Sequence, residues 1–377
     1  MLDCILEKQN LNKEDLLYLM NLKDPKDLEK LYQKAYAVKK QYVGNKAYYR
    51  GLIEFSNQCI KDCYYCGIRS GNHNAERFSM TKQEILDMAK WAFKNDYGSV
   101  TLQSGERRDD EFVAFITEAI RGIKELSGGK LGITLCLGEQ SKETYQKWYD
   151  CGAHRYLLRI ETTNKELYKK IHPDNDMHSF DKRVECLRYL KEIGYQAGTG
   201  VMIGLPGQRV EDLVEDILFY KKMDIDMIGM GPYVIHKDTP MGKDAVKRGL
   251  DTELDKKERL TLGLKMIAVT RLYLKDVNIA STTALQALDP YGRELGLKAG
   301  ANILMPIITL QEHRKKYQLY DNKPCLEDSQ EDCKNYLTSR VQSIGDVVGF
   351  GEWGDSPHFQ PEPSTGTGSR PVVTRFR

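Results

Sequence analysis

The strongest constraint on the fold is an alternation of strand-like and helix-like segments that runs from about residue 48 to about residue 309. Short apolar and β-branched runs, typical of buried parallel strands, are separated by longer segments with apolar residues at helical spacing. Eight strands, each followed by a helix, indicate an α/β protein with a complete (β/α)8 barrel of the TIM type. An open doubly wound sheet shares the alternation, but the number of units in one continuous stretch favours the barrel. The predicted strands are residues 49–56, 99–104, 131–137, 155–161, 197–204, 226–234, 277–283 and 301–307.

The segments on either side of this alternation have a different character. Residues 12–44 carry apolar side chains at helical spacing among charges, which predicts an N-terminal helical cap over residues 1–47. The barrel itself is expected over residues 48–309. Beyond it the alternation ends, and residues 310–359 are predicted to form an irregular C-terminal extension that closes the barrel. Residues 360–377 are rich in Pro, Gly, Ser and Thr, and we expect this tail to be disordered.

Three cysteines follow the first predicted strand at the spacing C-x3-C-x2-C: Cys59, Cys63 and Cys66, with Tyr65 before the last. Thiolates are the usual ligands of iron–sulfur clusters, and three of them can hold three corners of a [4Fe–4S] cluster while one iron stays open. An open metal position can bind and activate a further ligand, unlike a closed structural site. Structural zinc is the alternative, but it needs four ligands, and the sequence has no second C-x2-C pair.

Composition narrows the class of protein. The net charge is +2 with acids and bases balanced, which indicates neither a nucleic acid nor an anionic membrane as a partner. We expect no membrane span, because no stretch approaches about 18 apolar residues, and no signal peptide is visible. Nine cysteines, an odd number, fit a reducing cytoplasm and a metal cofactor better than a disulfide framework. Of these, Cys136, Cys151 and Cys186 are predicted to be small buried hydrophobic residues rather than ligands.

Active sites of parallel barrels lie at the carboxyl ends of the strands, so the polar residues found there are candidates for function. Ser104, Gly105 and Glu106 end the second predicted strand. A turn of this kind can offer backbone carbonyls and a carboxylate to the ammonium group of a ligand. The alternative is a plain connecting turn with a solvated Glu106, and the cysteine stretch next to it favours a ligand site.

The fourth predicted strand carries Arg155, Arg159 and Glu161 at alternate positions, so their side chains share one face. Charges inside a barrel must be paired, because a bare buried charge is very costly. They form either a self-contained Arg–Glu pair or a site in which Glu161 accepts hydrogen bonds from ribose hydroxyls and the arginines clamp carboxylates. Thr282 and Thr283, at the end of the seventh strand, are either substrate hydroxyl contacts or ordinary strand formers.

The cysteine spacing with Tyr65 resembles the signature of the radical S-adenosylmethionine (SAM) enzymes. Further strings resemble the HydE family of [FeFe]-hydrogenase maturases and run in order over nearly the whole barrel. They are EFSNQCIKDCYYCG (54–67), LQSGE (102–106), LGE (137–139), RYLLRIET (155–162), GLPGQ (204–208), DMIGMGP (226–232), HKDTP (236–240), STT (281–283), GANILMP (300–306) and YQLY (317–320).

The resemblance implies an enzyme that cleaves SAM reductively to a 5′-deoxyadenosyl radical. It implies that the three clustered cysteines hold a [4Fe–4S] cluster whose open iron binds SAM. The residues it places around SAM are Tyr65, Ser104, Gly105, Glu106, Arg159, Glu161 and Arg183. Those it places around the substrate are Thr134, Arg155, Met227, Thr282, Thr283 and Tyr317.

The family's role implies assembly of the diiron subcluster of the hydrogenase active site. The expected substrate is a small organometallic complex of iron with cysteine, carbon monoxide and cyanide, whose sulfur the radical attacks. Other hydrogenase maturases and a reductant such as ferredoxin or flavodoxin are the expected partners. Two alternatives stay open: a carbon-skeleton mutase like methylornithine synthase, and an iron–sulfur carrier without turnover, which would not cleave SAM.

One departure from the family concerns a second iron–sulfur site that some members build on C-x7-C-x2-C near the C-terminus. Cys325 and Cys333 keep the first spacing, but Tyr336 stands at the third position. Because two thiolates alone are a poor cluster site, we predict that this chain holds no stable second cluster.

Overall fold

A parallel sheet forms the centre of the structure, a computed structural model that describes residues 1–360. Most of the tail expected to be disordered, residues 361–377, lies outside the described residues. The strands are β1 (Lys46–Ser56), β2 (Ser99–Ser104), β3 (Gly132–Cys136), β4 (Arg155–Leu157), β5 (Gln196–Thr199), β6 (Met202–Ile203), β7 (Met227–Ile228), β8 (Gly231–Pro232), β9 (Asn278–Ile279), β10 (Ile303–Leu304) and β11 (Val347–Val348).

The strands pair in chain order around a curled sheet. The path is β10-β1-β2-β3-β4-β5-β7-β9, with β11 beside the start of β1, while β6 and β8 form a second small pair. Every pairing between these strands is parallel. The curl brings the outer strands together: Ala280, just after β9, bridges to Ile303 of β10, and the Asn302 amide donates to the Ile279 carbonyl at 2.9 Å.

The later strands are shorter than predicted, and side chains explain part of the difference. After β4, the Ile160 amide donates to Thr199 Oγ1 at 3.1 Å rather than to a backbone carbonyl. Glu161 has a φ of 67°, in the left-handed region, which ends the extended run. Backbone bonds resume around it, since the Glu161 amide donates to the Gly200 carbonyl at 3.0 Å.

Helices separate the strands, and most of them begin at a side-chain cap. Thr81 accepts from the Glu84 amide while the Glu84 carboxylate accepts from the Thr81 amide, a capping box. The helices are α1 (Leu2–Leu6), α2 (Lys13–Met20), α3 (Pro25–Tyr42), α4 (Lys82–Lys94), α5 (Asp110–Leu126), α6 (Lys142–Asp150), α7 (Lys165–Ile171), α8 (Phe180–Ile193), α9 (Val210–Lys222), α10 (Pro240–Lys247), α11 (Glu253–Leu274), α12 (Thr283–Leu288), α13 (Gly292–Lys298), α14 (Gln311–Arg314) and α15 (Gln330–Ser343), with a 3-10 turn at Asp176–His178.

Buried ionic groups join the N-terminal helices to distant parts of the chain. Lys39 of α3 and Asp346, just before β11, form an ion pair in which both side chains are fully buried. Lys265 of α11 donates to the Met20 carbonyl at the end of α2 at 2.6 Å. Because a bare buried charge is costly, these partners fix how α2 and α3 dock. Within residues 1–360, no helix is both long enough and apolar enough to cross a membrane.

Candidate active site

A cavity of about 330 Å³ lies inside the curled sheet and gathers nearly all the residues singled out in the sequence. Its lining is mostly apolar, with charged groups at a few positions. The predicted residues that line it are Cys59, Cys63, Tyr65, Cys66, Ser104, Gly105, Glu106, Thr134, Arg159, Glu161, Arg183, Met227, Thr282, Thr283 and Tyr317. Arg155 is the exception: it is fully buried, outside the cavity lining.

The loop that carries the three cysteines is held by the end of β2. The Gly105 amide donates to the Ser56 carbonyl at 2.9 Å, and the Ile60 amide donates to the Glu106 carbonyl at 2.9 Å. The Glu106 amide in turn donates to Cys59 Sγ at 3.3 Å. A Cβ on Gly105 would lie 2.2 Å from the Gln58 carbonyl oxygen, so only glycine allows the loop this close. The turn therefore positions the cysteine loop as well as lining the cavity.

The three thiols suit a cluster of several irons better than a single metal ion. Burial raises the pKa of Cys63 to about 12 and also raises the pKa of Cys59 and Cys66. Bare thiolates are thus unfavourable here, and a cationic metal group is what would hold them ionised. Among residues 1–360, only Glu84, Glu312 and His313 place three ligand atoms within 4.8 Å of one another. Cys59, Cys63 and Cys66 do not form such a group, so their sulfurs are not gathered around one position as the ligands of a single zinc ion are.

Beside the loop lies an ionic network that the sequence prediction did not include. Glu139 Oε1 accepts from Arg183 Nε at 2.6 Å, and its Oε2 accepts from Lys61 Nζ at 2.9 Å and Arg108 Nη2 at 2.7 Å. Glu106 Oε2 accepts from the Glu139 amide at 3.0 Å. Burial alone would raise the pKa of Glu139, but the charges of Arg183 and Lys61 outweigh it and lower that pKa. Glu139 stays ionised and holds three cations against the loop.

Arg159 and Glu161 form an ion pair at the cavity wall. Arg159 Nη2 lies 3.0 Å from Glu161 Oε2 but donates to the Val201 carbonyl. Glu161 Oε2 and Arg159 Nε have no hydrogen-bond partner among the described residues. Burial raises the pKa of Glu161, although Arg159 and Arg183 oppose the shift. The buried donor Arg159 Nε, without a partner among the described residues, leaves a position for an acceptor of a ligand.

Arg50 lines one end of the cavity, here called the floor, and Arg155 lies near it outside the lining, paired with Asp355. Arg155 Nη1 donates to Asp355 Oδ1 at 3.0 Å and to the Trp353 carbonyl at 2.7 Å. Arg50, which lines the cavity, donates to Met227 Sδ at 3.0 Å. Burial would raise the pKa of Asp355, but the His154 hydrogen bond and the Arg155 charge lower it, so Asp355 is ionised. Two guanidinium groups against one carboxylate leave the floor positive.

Residues of the C-terminal extension form the end of the cavity opposite the floor. Lys323 donates to both oxygens of Glu54 at 2.6 Å, and the two side chains are almost fully buried. Tyr320 OH and Thr283 Oγ1 lie 2.6 Å apart. Tyr317 is buried and lines the cavity. Thr282 Oγ1 has no hydrogen-bond partner among the described residues. Thr282 precedes α12 without a side-chain capping bond, Thr283 begins the helix, and both line the cavity.

Cys136 has a position different from the one predicted for it. It lines the cavity and is half-buried, two residues from Thr134 on the same face of β3. Thr134 Oγ1 also has no partner among the described residues. Side chains alternate between the two faces of a strand, so the expectation that Thr134 lines the cavity predicts the same face for Cys136. Cys186 is buried and Cys151 half-buried, and neither lines the cavity.

Comparison with known proteins agrees with this geometry. Residues 53–220 match the Radical SAM superfamily. The chain is 40% identical to the [FeFe] hydrogenase maturase subunit HydE of Thermotoga maritima, over 93% of this chain and 95% of that protein. It is 28% identical to 3-methylornithine synthase of Methanosarcina acetivorans, over 90% and 91% of the two chains. A crystal structure of methylornithine synthase superposes with a TM-score of 0.75 at 27% identity, covering 93% and 97%. With its cysteine loop, its cavity and this extent of similarity, the chain belongs to the HydE family of [FeFe]-hydrogenase maturases within the radical SAM enzymes.

Proposed function

We propose that this enzyme acts in the assembly of the diiron subcluster of [FeFe] hydrogenase, on a small organometallic complex of iron and cysteine. The observation that carries the proposal is the cavity of about 330 Å³, which joins the cysteine loop to a positive floor. That volume suits a small molecule, and the positive floor suits an anionic one. The 40% identity to a HydE maturase over nearly the full length supports the same role.

The proposal includes a finer division of the fold. The sheet is a complete (β/α)8 barrel, supported by the bridge between Ala280 and Ile303. Residues 1–47 form the helical cap and residues 48–309 the barrel. Residues 310–359 form the extension that closes it, supported by the contacts of Lys323 at one end and Asp355 at the other.

Cys59, Cys63 and Cys66 would hold the [4Fe–4S] cluster, and Tyr65, Ser104, Gly105, Glu106, Arg159, Glu161 and Arg183 would surround SAM. Together the two cofactors supply one-electron cleavage of SAM to a 5′-deoxyadenosyl radical. Glu161, paired with Arg159 through Oε2, offers its carboxylate to ribose hydroxyls, and Arg159 Nε, which has no partner among the described residues, can meet a carboxylate. Arg183 positions Glu139, since its Nε donates there, and its Nη1 fixes the Arg159 carbonyl at 2.9 Å.

The substrate would lie between the cysteine loop and the floor. Thr134 and Thr282 present hydroxyls without protein partners, and Thr283, Met227 and Tyr317 shape the wall. Arg155 does not line the cavity, so it contributes only through its charge, from beneath the cavity. The apolar remainder of the wall keeps water away from the reacting atoms.

The proposal extends to the setting of the enzyme. It works in the cytoplasm, receives electrons from a reductant such as ferredoxin or flavodoxin, and exchanges its substrate with other hydrogenase maturases. It holds no stable second cluster at Cys325 and Cys333. The third position of that motif, Tyr336, is exposed, with its hydroxyl hydrogen-bonded to Arg340.

The decisive experiment is anaerobic. The cluster is reconstituted and reduced, SAM is added, and 5′-deoxyadenosine is measured with and without the organometallic iron–cysteine complex. We expect the complex to accelerate its formation and to be consumed. A change in the electron paramagnetic resonance spectrum of the reduced cluster on SAM addition reports binding independently of turnover. A spectrum unchanged by SAM would contradict the assignment of the cavity.

Two controls separate this proposal from its competitors. The Cys63→Ala variant should show no electron paramagnetic resonance signal of the reduced cluster and should form no 5′-deoxyadenosine. A hydrogenase maturation mixture that lacks only this protein should regain activity with the wild type. A carrier would restore that activity without cleaving SAM, and a mutase would form 3-methylornithine and leave the hydrogenase inactive.

A further inference from the structure

A buried carboxylate on α9 takes no part in the proposed chemistry. Asp216 is fully buried, and its Oδ1 accepts from the Thr163 amide at 2.7 Å and from Thr163 Oγ1 at 2.6 Å. Its Oδ2 has no hydrogen-bond partner among the described residues. Burial of a carboxyl group with an unsatisfied oxygen is costly. A group kept in such a place is a candidate for a role beyond packing.

The charged groups beside Asp216 do not offset its burial. On the same helix, Asp212 pairs with Arg209 at 3.3 Å. Glu215 pairs with Lys13 of α2, so both neighbouring carboxylates have a cation of their own. Burial raises the pKa of Asp216 to about 7, the hydrogen bonds that it accepts oppose the shift, and the charges of Asp212 and Glu215 add to it. Asp216 therefore changes its charge close to neutral pH.

The partner of this carboxylate, Thr163, lies two residues after Glu161, which is proposed to meet the ribose of SAM. Glu161 has a φ of 67°, in the left-handed region, and a non-glycine residue stays there only where its surroundings hold it. Its amide donates to the Gly200 carbonyl at 3.0 Å, and its carbonyl accepts from the Met202 amide at 3.0 Å. These bonds tie Glu161 to β5 and β6, and Asp216 ties the turn that follows to α9.

A second carboxylate of α9 holds the next residue, whose side chain has another task. Asn164 Nδ2 donates to Asp212 Oδ1 at 2.9 Å, while Asn164 Oδ1 accepts from two backbone amides at the start of α7. Asn164 is thereby committed to capping that helix. Thr163 differs, since its amide and its hydroxyl both donate to Asp216. The contact between Thr163 and Asp216 is therefore the one that fixes the end of the turn carrying Glu161.

We propose that Asp216 is a positioning residue for SAM, which holds the turn after Glu161 and thereby sets how well the enzyme recognises the ribose hydroxyls. The inference rests on the proposed function, in which Glu161 accepts hydrogen bonds from those hydroxyls. Asp216 does not line the cavity, so it acts through Thr163 and not on SAM itself. Hydrogen bonds to an ionised carboxylate are about twice as strong as those between neutral groups, so the turn is held most firmly when Asp216 is charged.

The test compares SAM with its 2′,3′-dideoxy analogue. Calorimetric titration of the oxidised, cluster-loaded enzyme gives both dissociation constants without turnover, and the constant of the analogue divided by that of SAM measures recognition of the ribose hydroxyls. Thr163→Val removes one donor at nearly constant shape and should reduce this ratio by about tenfold, the effect of losing one hydrogen bond to a charged group. Thr163→Ser keeps the hydroxyl and should restore the ratio. Equal ratios in the valine variant and the wild type would overturn the proposal.

A matched control separates this effect from the loss of any buried carboxylate. Asp226 is 1% exposed, and its Oδ2 accepts from the Ala197 amide at 2.9 Å. It precedes β7 and so lies at the amino end of the strands, whereas the active site lies at their carboxyl ends. Asp226→Asn should leave the ratio unchanged. A reduction as large as that in Thr163→Val would contradict a specific role of Asp216.

A pH profile gives a readout that a merely structural role would not move. In the wild type the ratio should fall as the pH drops from about 8 to about 6, because the pKa of Asp216 is about 7 and its protonation weakens the hydrogen bonds. Asp216→Asn, which has the shape of the protonated form, should have a low ratio at every pH. The titration of SAM itself cancels in the ratio. A flat wild-type profile, or a slope that Asp216→Asn retains, would refute the positioning role.

Failure of the proposed function has a different signature. A wild-type enzyme that binds SAM no more tightly than the dideoxy analogue at any pH would contradict the ribose contact of Glu161, and the inference would fall with it. A wild type that distinguishes the two ligands, together with a Thr163→Val variant that does so equally well, would leave that contact in place and remove only the role of Asp216.

Discussion

Lys323 Nζ lies 2.6 Å from both carboxylate oxygens of Glu54, so one ion pair joins the C-terminal extension to β1 at the wall of the cavity. The Glu54 side chain is 2% exposed and the Lys323 side chain 3%. The lysine also donates to the Tyr317 carbonyl at 2.8 Å. The pair therefore sets where residues 317–323 pass along the cavity, and neither partner can be exchanged alone without leaving a buried charge.

The first prediction follows from that pair. Lys323→Met and Glu54→Gln should each lower the free energy of unfolding by about 3–5 kcal/mol, because each leaves one partner buried without compensation. The double variant should recover much of the loss. Urea denaturation of all four proteins gives the coupling between the two sites. Simple addition of the two single losses would show that the side chains act independently and contradict the prediction.

The second prediction concerns the glycine beneath the cysteine loop. Gly105→Ala should abolish most cluster binding, because its Cβ would lie 2.2 Å from the Gln58 carbonyl oxygen and 2.7 Å from Cys59 Cβ. Gly263→Ala is the matched control, since the nearest atom to its Cβ would be 3.4 Å away. Iron content and the cluster absorbance after reconstitution measure the effect, with circular dichroism to verify folding. A fully loaded Gly105→Ala protein would refute the close-contact explanation.

The third prediction addresses the floor. Asp355→Asn removes the carboxylate that faces Arg155 while Arg50 remains beside it. We expect a loss of about 1–3 kcal/mol of stability, less than for a fully buried pair because the Asp355 side chain is 39% exposed. Added chloride should stabilise the variant more than the wild type, since an anion can replace the carboxylate. Thermal unfolding at graded chloride concentration tests this, and equal chloride responses would argue against a positive floor.

The fourth prediction is a pH dependence at His358. Its hydrogen bond to Asp276 and then that to Asp224 raise the pKa of His358 to about 9 in the folded protein, against an ordinary value of 6.5. A raised folded pKa gives stability that is fully present below pH 6.5 and is lost as the pH rises through 9. The stability difference between the wild type and His358→Gln should therefore be largest at acidic pH and vanish at alkaline pH. His73→Gln, at an exposed histidine, is the control for general pH effects. A difference that grows with pH would reverse the assigned sign.

Local signals explain what the sequence could predict. The second strand, Ser99–Ser104, has the predicted bounds because its β-branched and apolar residues lie between Gly98 and Gly105, a local signal that needs no tertiary information. The cysteine loop was equally accessible, since the spacing of ligands is a local property. The fourth strand was predicted too long, because the hydrogen bond from the Ile160 amide to Thr199 Oγ1 depends on a residue of another strand.

Long-range pairing explains what was missed. Arg155 was expected in the cavity, but its carboxylate partner lies 200 residues further along the chain, and nothing in the intervening sequence indicates that contact. The network on Glu139 joins side chains from four separate segments in the same way. Cys136 is a different case. Its position two residues from Thr134 predicts that it faces the cavity, whereas its apolar character alone predicts burial in the core.

The contacts of Trp353 and Asp355 with Arg155 also have a consequence for biosynthesis. A ribosome makes the chain from its N-terminus at about 5–20 residues per second, so the cysteine loop emerges well before residues 353–355. Until Asp355 has left the exit tunnel, the buried Arg155 lacks its carboxylate partner. Strand β4 therefore acquires its charge partner only after the 200 residues that separate Arg155 from Asp355 have been synthesised. The surroundings of this strand are thus completed late, when the loop proposed to hold the iron already exists.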